Sequence, residues 1–294
     1  MPRLTLTVSD AQSGRTVLSL LKGELKLSTG CVNRLKRTGT GLTANGQRVF
    51  TNAILRTGDI LVVDLDAAEQ STQVAPIPME LDIIWEDEHL LVLNKAAPLA
   101  VIPSSLAPHE PTLANGLAHY MGSHFTFHPV NRLDRGTTGL MIVAKNGYIH
   151  DQLRRRLHSG TFFRRYLAVC QGHPEPAAGS VDLPIGRAPD SAIKRQIDPA
   201  GQNAYSEYRT LRTNGEYALL ELTPHTGRTH QLRVHMAALG HPLVGDWLYG
   251  TENQQLIARP ALHAAQVMLS HPVAGTELNL TAPLPADMIR LMEL

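Results

Sequence analysis

In the segment Asn131-Arg132-Leu133-Asp134-Arg135-Gly136-Thr137-Thr138, a lone carboxylate lies between two arginines on a glycine- and threonine-rich turn. A short apolar run, Leu140-Met141-Ile142-Val143-Ala144, follows it and has the look of a buried strand. That arrangement would hold Asp134 at the mouth of a sheet, where rigid elements aim loop side chains. An aspartate, ionised at neutral pH, serves as nucleophile or proton acceptor. The basic setting suits an anionic substrate. The plain alternative is a turn aspartate before a strand, with solvated arginines around it.

Two other stretches offer chemistry. In Phe162-Phe163-Arg164-Arg165-Tyr166-Leu167-Ala168, period-two alternation puts Tyr166 on one face with Arg164 and Ala168. Tyr166 is then either a half-buried strand tyrosine or an aromatic platform for a base, beside a phosphate-binding arginine. In His225-Thr226-Gly227-Arg228-Thr229-His230-Gln231-Leu232-Arg233, Arg228 is expected to open a helix. A cation there opposes the macrodipole unless an anion, either Asp134 or a phosphate, bridges both. Arg233 and His235 add polar groups to the same helix. There is no GxGxxG after a strand, no GxxxxGK[ST] and no GxSxG. The 14 histidines are scattered without metal-ligand spacing, so no metal site is expected.

Elements must position these groups. Residues 1–70 read as a small module. It has a helix around Val17–Glu24, a second helix capped by Ser28, and a hairpin at Asn45-Gly46. Residues 54–65 are expected to form a further strand pair turning at Gly58-Asp59. Arg34, Lys36 and Arg37 cluster near the end of the second helix. They are either a basic helix terminus favoured by the macrodipole or a phosphate-binding face. Residues 71–79 read as a linker, and 80–294 as a larger domain. There a hairpin turns at Glu86-Asp87, a helix covers 112–121, and Asn146 caps the next helix. Strands follow near 162–170, 181–186, 205–212 and 217–223, then the arginine helix from Arg228 to Gly240, and finally a helix and a hairpin. Strands mixed with a few helices, without strict βαβ alternation, predict an α+β fold with a largely antiparallel sheet.

Composition sets outer bounds. At 294 residues the chain can bury a large core, and more than one domain is plausible. A net charge of +1 announces no global basic field, so any nucleic-acid partner must be met by local clusters. Cys31 and Cys170 are far apart with no CxxC pair, which suits a reducing cytoplasm. No apolar run is long enough for a membrane span or signal peptide, so a cytoplasmic protein is expected.

Taken together, four motifs resemble the RluA-type pseudouridine synthases over Arg15 to Pro285. They are HPVNRLDRGTTGLMIVAK, RRYLAV, TGRTHQLRVHMAALGHPLVGDWLYG and the C-terminal LHA…LSHPVAG…APLP. Asn131 stands where many members have histidine, Thr138 where serine is frequent, and Ala96-Ala97-Pro98 where proline usually follows the lysine directly. Residues 15–66 resemble the αL-type RNA-binding module that many members carry in front.

The resemblance implies a pseudouridine synthase fold and isomerisation of uridine in RNA, ribosomal or transfer, without cofactor or metal; a monomer is the default expectation. It implies Asp134 as nucleophile, Tyr166 stacked on the flipped uracil, and Arg228 paired with Asp134. It further implies that Arg132 fills the gap left by the extruded base, with Arg135, Arg164 and Arg233 contacting substrate. The alternative is a non-catalytic RNA-binding protein that keeps the fold.

Overall fold

The computed structural model describes residues 3–65, 74–105, 107–122, 125–157 and 162–293. Residues 71–73 of the expected linker lie outside them. Residues 75–79 are not a loose tether. Ile77 N–H donates to Asn115 O, Asn115 Nδ2 donates to Ala75 O at 2.8 Å, and Met79 lies close against Gly116.

The front of the chain builds its own core. A four-stranded sheet comprises β1 (Arg3–Thr7), β2 (Leu42–Ala44), β3 (Gln47–Arg48) and β4 (Ile60–Asp64), in the order β1-β4-β2-β3. It is covered by α1 (Val17–Gly23) and α2 (Thr29–Arg37). Thr16 and Ser28 cap the helices through their side chains, as Ser/Thr before an apolar-periodic run should. Asn45 and Gly46 both take positive φ, the two-residue hairpin geometry that Asn-Gly favours. Val17, Leu20, Leu21, Val32, Leu35, Leu61 and Val63 fill the core. The expected strand pair within 54–65 does not form. β4 pairs with β1 and β2, while Ile54 makes only a single bridge to Thr16.

The larger unit is α+β around a mixed sheet. Its strands are β5 (Ile83–Glu86), β6 (Leu90–Lys95), β7 (His128–Pro129), β8 (Thr138–Ala144), β9 (Phe162–Gln171) and β10 (Ala178–Asp182), then β13 (Tyr205–Asn214), β14 (Tyr217–Pro224), β15 (Leu262–Ser270) and β16 (Glu277–Thr281). The main order is β10-β13-β14-β9-β15-β8-β6-β5, with β16 on β15 and β7 on β8. Among the described strands only β8 and β15 pair in parallel. Between β10 and β13, the short strands β11 (Ile185–Arg187) and β12 (Arg195–Ile197) form a separate hairpin. Helices α3 (Leu113–Met121), α4 (Gly147–Arg156), α5 (Gln231–Ala238) and α6 (Ala286–Glu293) complete it.

Both faces of β6 and β8 are covered, which is why LLVLNK and LMIVA read as continuous apolar runs rather than alternations. Asn146 caps α4 by accepting from Ile149 N–H. Tyr148 on α4 packs against both the front core and a core of the large sheet, so the two units meet there.

The C-terminal expectation of a helix before the hairpin is corrected. Residues 262–270 form a strand between β8 and β9, and the helix comes last, at α6. Alanine favours helix, but tertiary packing overrides that weak preference. Ala264 is aligned with Gly139 on one side and Tyr166 on the other. A Cβ at Gly139 would clash with Ala264 O, and Gly139 has φ 110, so that position requires glycine.

Candidate active site

The turn carrying Asp134 is held from three sides. Asn131 is buried and pins its start to β8. Its Oδ1 accepts from Ile142 N–H at 2.8 Å and its Nδ2 donates to Leu140 O at 3.3 Å. Thr137 N–H closes the turn on Asp134 O at 3.0 Å. Lys95, 1% exposed at the end of β6, lies under the loop. Its Nζ donates to Ala96 O at 2.7 Å, Leu99 O at 2.8 Å and Arg135 O at 3.4 Å. Burial pulls the Lys95 ammonium down to about 7, with the Asp134 charge opposing that and Arg259 adding to it. Leu133 enters the main core and fixes the side chain next to Asp134.

Asp134 opens into a cleft of about 730 Å³, within the roughly 300–1,000 Å³ of ligand pockets. Arg132, Arg135, Tyr166, Arg164, Arg228 and Arg233 all line the same cleft, so the expected large-domain residues do converge. Tyr166 comes from β9 and is 7% exposed. Burial raises its hydroxyl pKa, Arg164 counteracts this, and Asp134 adds to the rise. Arg164 Nη2 lies 3.3 Å from Pro224 O and 3.4 Å from Thr226 O, and its buried Nε has no partner among the described residues. Arg135 reaches outward to Glu110 at 3.0 Å. His150 and Arg154 of α4 extend the lining.

The pairing of Arg228 with Asp134 is corrected. His230 takes φ 58, so the helix begins only at Gln231 and Arg228 lies in the turn before it. Its Nε donates to Asn203 O at 2.9 Å and its Nη1 to Gln202 Oε1 at 3.0 Å. The arginine that meets Asp134 is Arg233, with Nη1 3.5 Å from Oδ2. Arg233, expected to contact substrate, lines the cleft, is 5% exposed and is gripped by Asp246, with Nε 2.7 Å from Oδ2 and Nη2 2.8 Å from Oδ1. Its guanidinium lies 5.0 Å from the Tyr249 ring centre. Burial works most strongly against the Arg233 charge, but the hydrogen bonds and charge of Asp246, with Asp134 and Tyr249 adding to them, together outweigh it and leave the pKa above the ordinary arginine value.

Sequence reasoning missed Lys95, Asp246 and Tyr249. For Lys95 a signal existed: period-two places it on one face with Leu91 and Leu93, which lie in the main core. Arg34, Lys36 and Arg37 do not line this cleft and lie in the last turn of α2. Lys36 lines a second cleft with Arg48 and Phe50, where the Arg48 guanidinium lies 5.2 Å from the Phe50 ring centre. Neither cysteine is in a disulfide and both are buried. Among the described residues no group of three His, Cys, Asp or Glu is arranged for a metal, and no helix is long and apolar enough to cross a membrane.

The basic cleft thus combines a carboxylate, a buried tyrosine and an arginine held by a second carboxylate. Residues 89–238 match the family described as RNA pseudouridylate synthase. The chain belongs to that family, and within it to the RluA type. It is 41% identical over 274 residues to YjbO of Bacillus subtilis, described as an uncharacterized RNA pseudouridine synthase, covering 92% of this chain and 96% of that one. It is 38% identical over 241 residues to ribosomal large subunit pseudouridine synthase D of Escherichia coli, covering 76% and 73%. Among solved structures, human RNA pseudouridylate synthase domain containing 4 superposes with a TM-score of 0.56 at 28% identity, covering 72% and 92%. The protein is thus an isomerase, an RNA pseudouridine synthase.

Proposed function

We propose that the protein isomerises specific uridines in ribosomal RNA, with Asp134 as the nucleophile acting on a flipped base. The observation that carries the reading is Asp134 in the lining of the cleft, 3.5 Å from an arginine that a second carboxylate holds in place. Pseudouridine formation breaks C1′–N1, rotates the uracil, joins C1′ to C5, and moves a proton from C5 while N1 gains one. The base must leave its stack, which costs a few kcal/mol. Stacking on Tyr166, worth ~1–3 kcal/mol, offsets part of that. Arg164, Arg228, Arg132 and Arg135 face the cleft as cations for the flanking phosphates. Arg233 acts on Asp134 rather than on substrate. The ribosomal target is supported by the likeness to the Escherichia coli ribosomal synthase.

In this reading residues 1–70 form the RNA-binding front unit, and 80–294 the catalytic domain of a cytoplasmic monomer. The cluster Arg34, Lys36 and Arg37, with Arg48 and Phe50 beside it, supports RNA contact by the front unit. Mapping of pseudouridine in total RNA, with and without the protein, tests the function. Loss of one or a few ribosomal sites on deletion is the expected result. An unchanged map contradicts it.

A further inference from the structure

His230 has a specific job that rests on the reading of Asp134 as nucleophile. It stands immediately before α5 with φ 58, a left-handed conformation that a side chain other than glycine adopts only when its surroundings enforce it. Its ring is mostly buried, with Nδ1 2.8 Å from Tyr249 Oη and Nε2 3.9 Å from Asp134 Oδ2. Tyr249 Oη accepts from Arg195 N–H at 2.8 Å, so one lone pair is already used. The hydroxyl proton has one acceptor among its contacts, His230 Nδ1. When the hydroxyl donates to Nδ1, that nitrogen is bare and the ring proton sits on Nε2, the nitrogen facing Asp134. The tyrosine is fixed in turn. The β11–β12 hairpin that carries Arg195 packs with Tyr249 on α5 through Ile185, Ile197 and Val234.

Both groups near the carboxylate approach the same oxygen. Arg233 Nη1 and His230 Nε2 lie 3.5 and 3.9 Å from Oδ2, and no hydrogen bond reaches Oδ1 among the described residues. We infer that His230 is a positioning residue for Asp134, an Nε2–H donor set by Tyr249 that closes on Oδ2 when RNA fills the cleft and leaves Oδ1 to attack. A contact of 3.9 Å is too long for a hydrogen bond. Shortening on substrate binding is common for such contacts.

The groups facing the imidazole are Asp134, Arg233, Asp246, Arg195 and Tyr249. Burial lowers its pKa below the ordinary histidine value, Asp134 and Asp246 oppose the shift, and Arg233 and Arg195 support it. At neutral pH the ring is therefore uncharged. As pH falls, Nδ1 gains a proton, the Tyr249 hydroxyl must turn away, and an imidazolium holds the carboxylate more tightly. The rate then drops on the acid side.

The test is the single-turnover rate of tritium release, using total RNA labelled with C5-tritiated uridine from a strain lacking the protein. It is measured across pH for full-length wild type, H230A, H230Q and Y249F, alongside RNA affinity and thermal unfolding. H230A is expected to slow the step by about tenfold or more, as loss of alignment does, with RNA affinity little changed. H230Q, which keeps a donor and cannot titrate, recovers most of the rate and moves the acid limb to lower pH. Y249F keeps the imidazole without its tautomer lock and is slower than wild type.

A wild-type rate in H230A overturns the inference. So does H230Q as slow as H230A with unfolding and affinity unchanged, which would make the imidazole a proton carrier. An acid limb in H230Q identical to wild type, or a wild-type rate and profile in Y249F, also overturns it. If H230A fails to fold, H230Q and Y249F decide. Turnover in D134N would bring down the underlying reading. An inactive D134N beside a fully active H230A would bring down this inference alone.

Discussion

Arg233 and Asp134 meet at 3.5 Å across 99 positions of sequence, and Arg233 arrives there already bound to buried Asp246. The cation on the proposed nucleophile is thus held by a group that RNA does not displace. Arg233→Lys keeps the charge but loses the two-point fork. It should lower the single-turnover rate about a hundredfold with RNA affinity nearly kept. Arg228→Ala should do the reverse, weakening affinity with a rate close to wild type. Rate and affinity measured separately decide this, and an Arg228→Ala defect in rate equal to that of Arg233→Lys contradicts the assignment.

Tyr166 presents an aromatic body in the cleft. Tyr166→Phe should bind RNA as wild type does, while the step after base release slows if the hydroxyl moves the C5 proton. Tyr166→Ala should also lose affinity by roughly 1–3 kcal/mol, the stacking contribution. Equal and near-normal rates for both would reduce Tyr166 to a core residue of β9.

Lys95 makes a prediction about pH. With its pKa lowered to about 7 by burial, the folded protein binds fewer protons at this site than the unfolded chain between about 7 and the ordinary 10.5. Its contribution to stability therefore rises with pH through that window. Lys95→Met lacks the rise and leaves three loop carbonyls without their donor, at ~1–3 kcal/mol for each group left unpaired. Denaturant unfolding at pH 7 and at about pH 9.5 should show the wild type pulling further ahead of the variant at the higher pH. A constant difference contradicts the burial of a titrating lysine.

The front unit should add affinity. Lys36→Ala with Arg37→Ala in the full-length chain should reduce the log–log salt slope of RNA binding by roughly 0.7–0.9 for each phosphate that the protein no longer neutralises. The rate on saturating RNA should be unchanged. An identical slope would leave the cluster as an exposed helix end.

Much of this was legible because local signals agreed with the fold. Asn45-Gly46 made its hairpin, Ser28 and Asn146 capped their helices, and the LMIVA run marked the strand that begins at the Asp134 turn. What was illegible depended on distant packing. Residues 262–270 look helical by composition, and only their place between Gly139 and Tyr166 requires a strand with a small Ala264. Arg228 and Arg233 share one motif, and their local positions do not say which of them meets Asp134. Which one reaches Asp134 is decided by the left-handed His230, which starts α5 late and leaves Arg228 to Gln202 and Asn203. Asp246 and Tyr249 follow in the next turn, and no spacing rule joins them to the helix.

The central claim is that Asp134 is the nucleophile. Asp134→Asn is nearly isosteric and removes the charge that attack needs. Tritium release from C5-labelled uridine in RNA, measured with RNA affinity for the same preparation, is the direct test. The account predicts no release, with affinity within a few-fold of wild type. Release at about a tenth of the wild-type rate or more would contradict it.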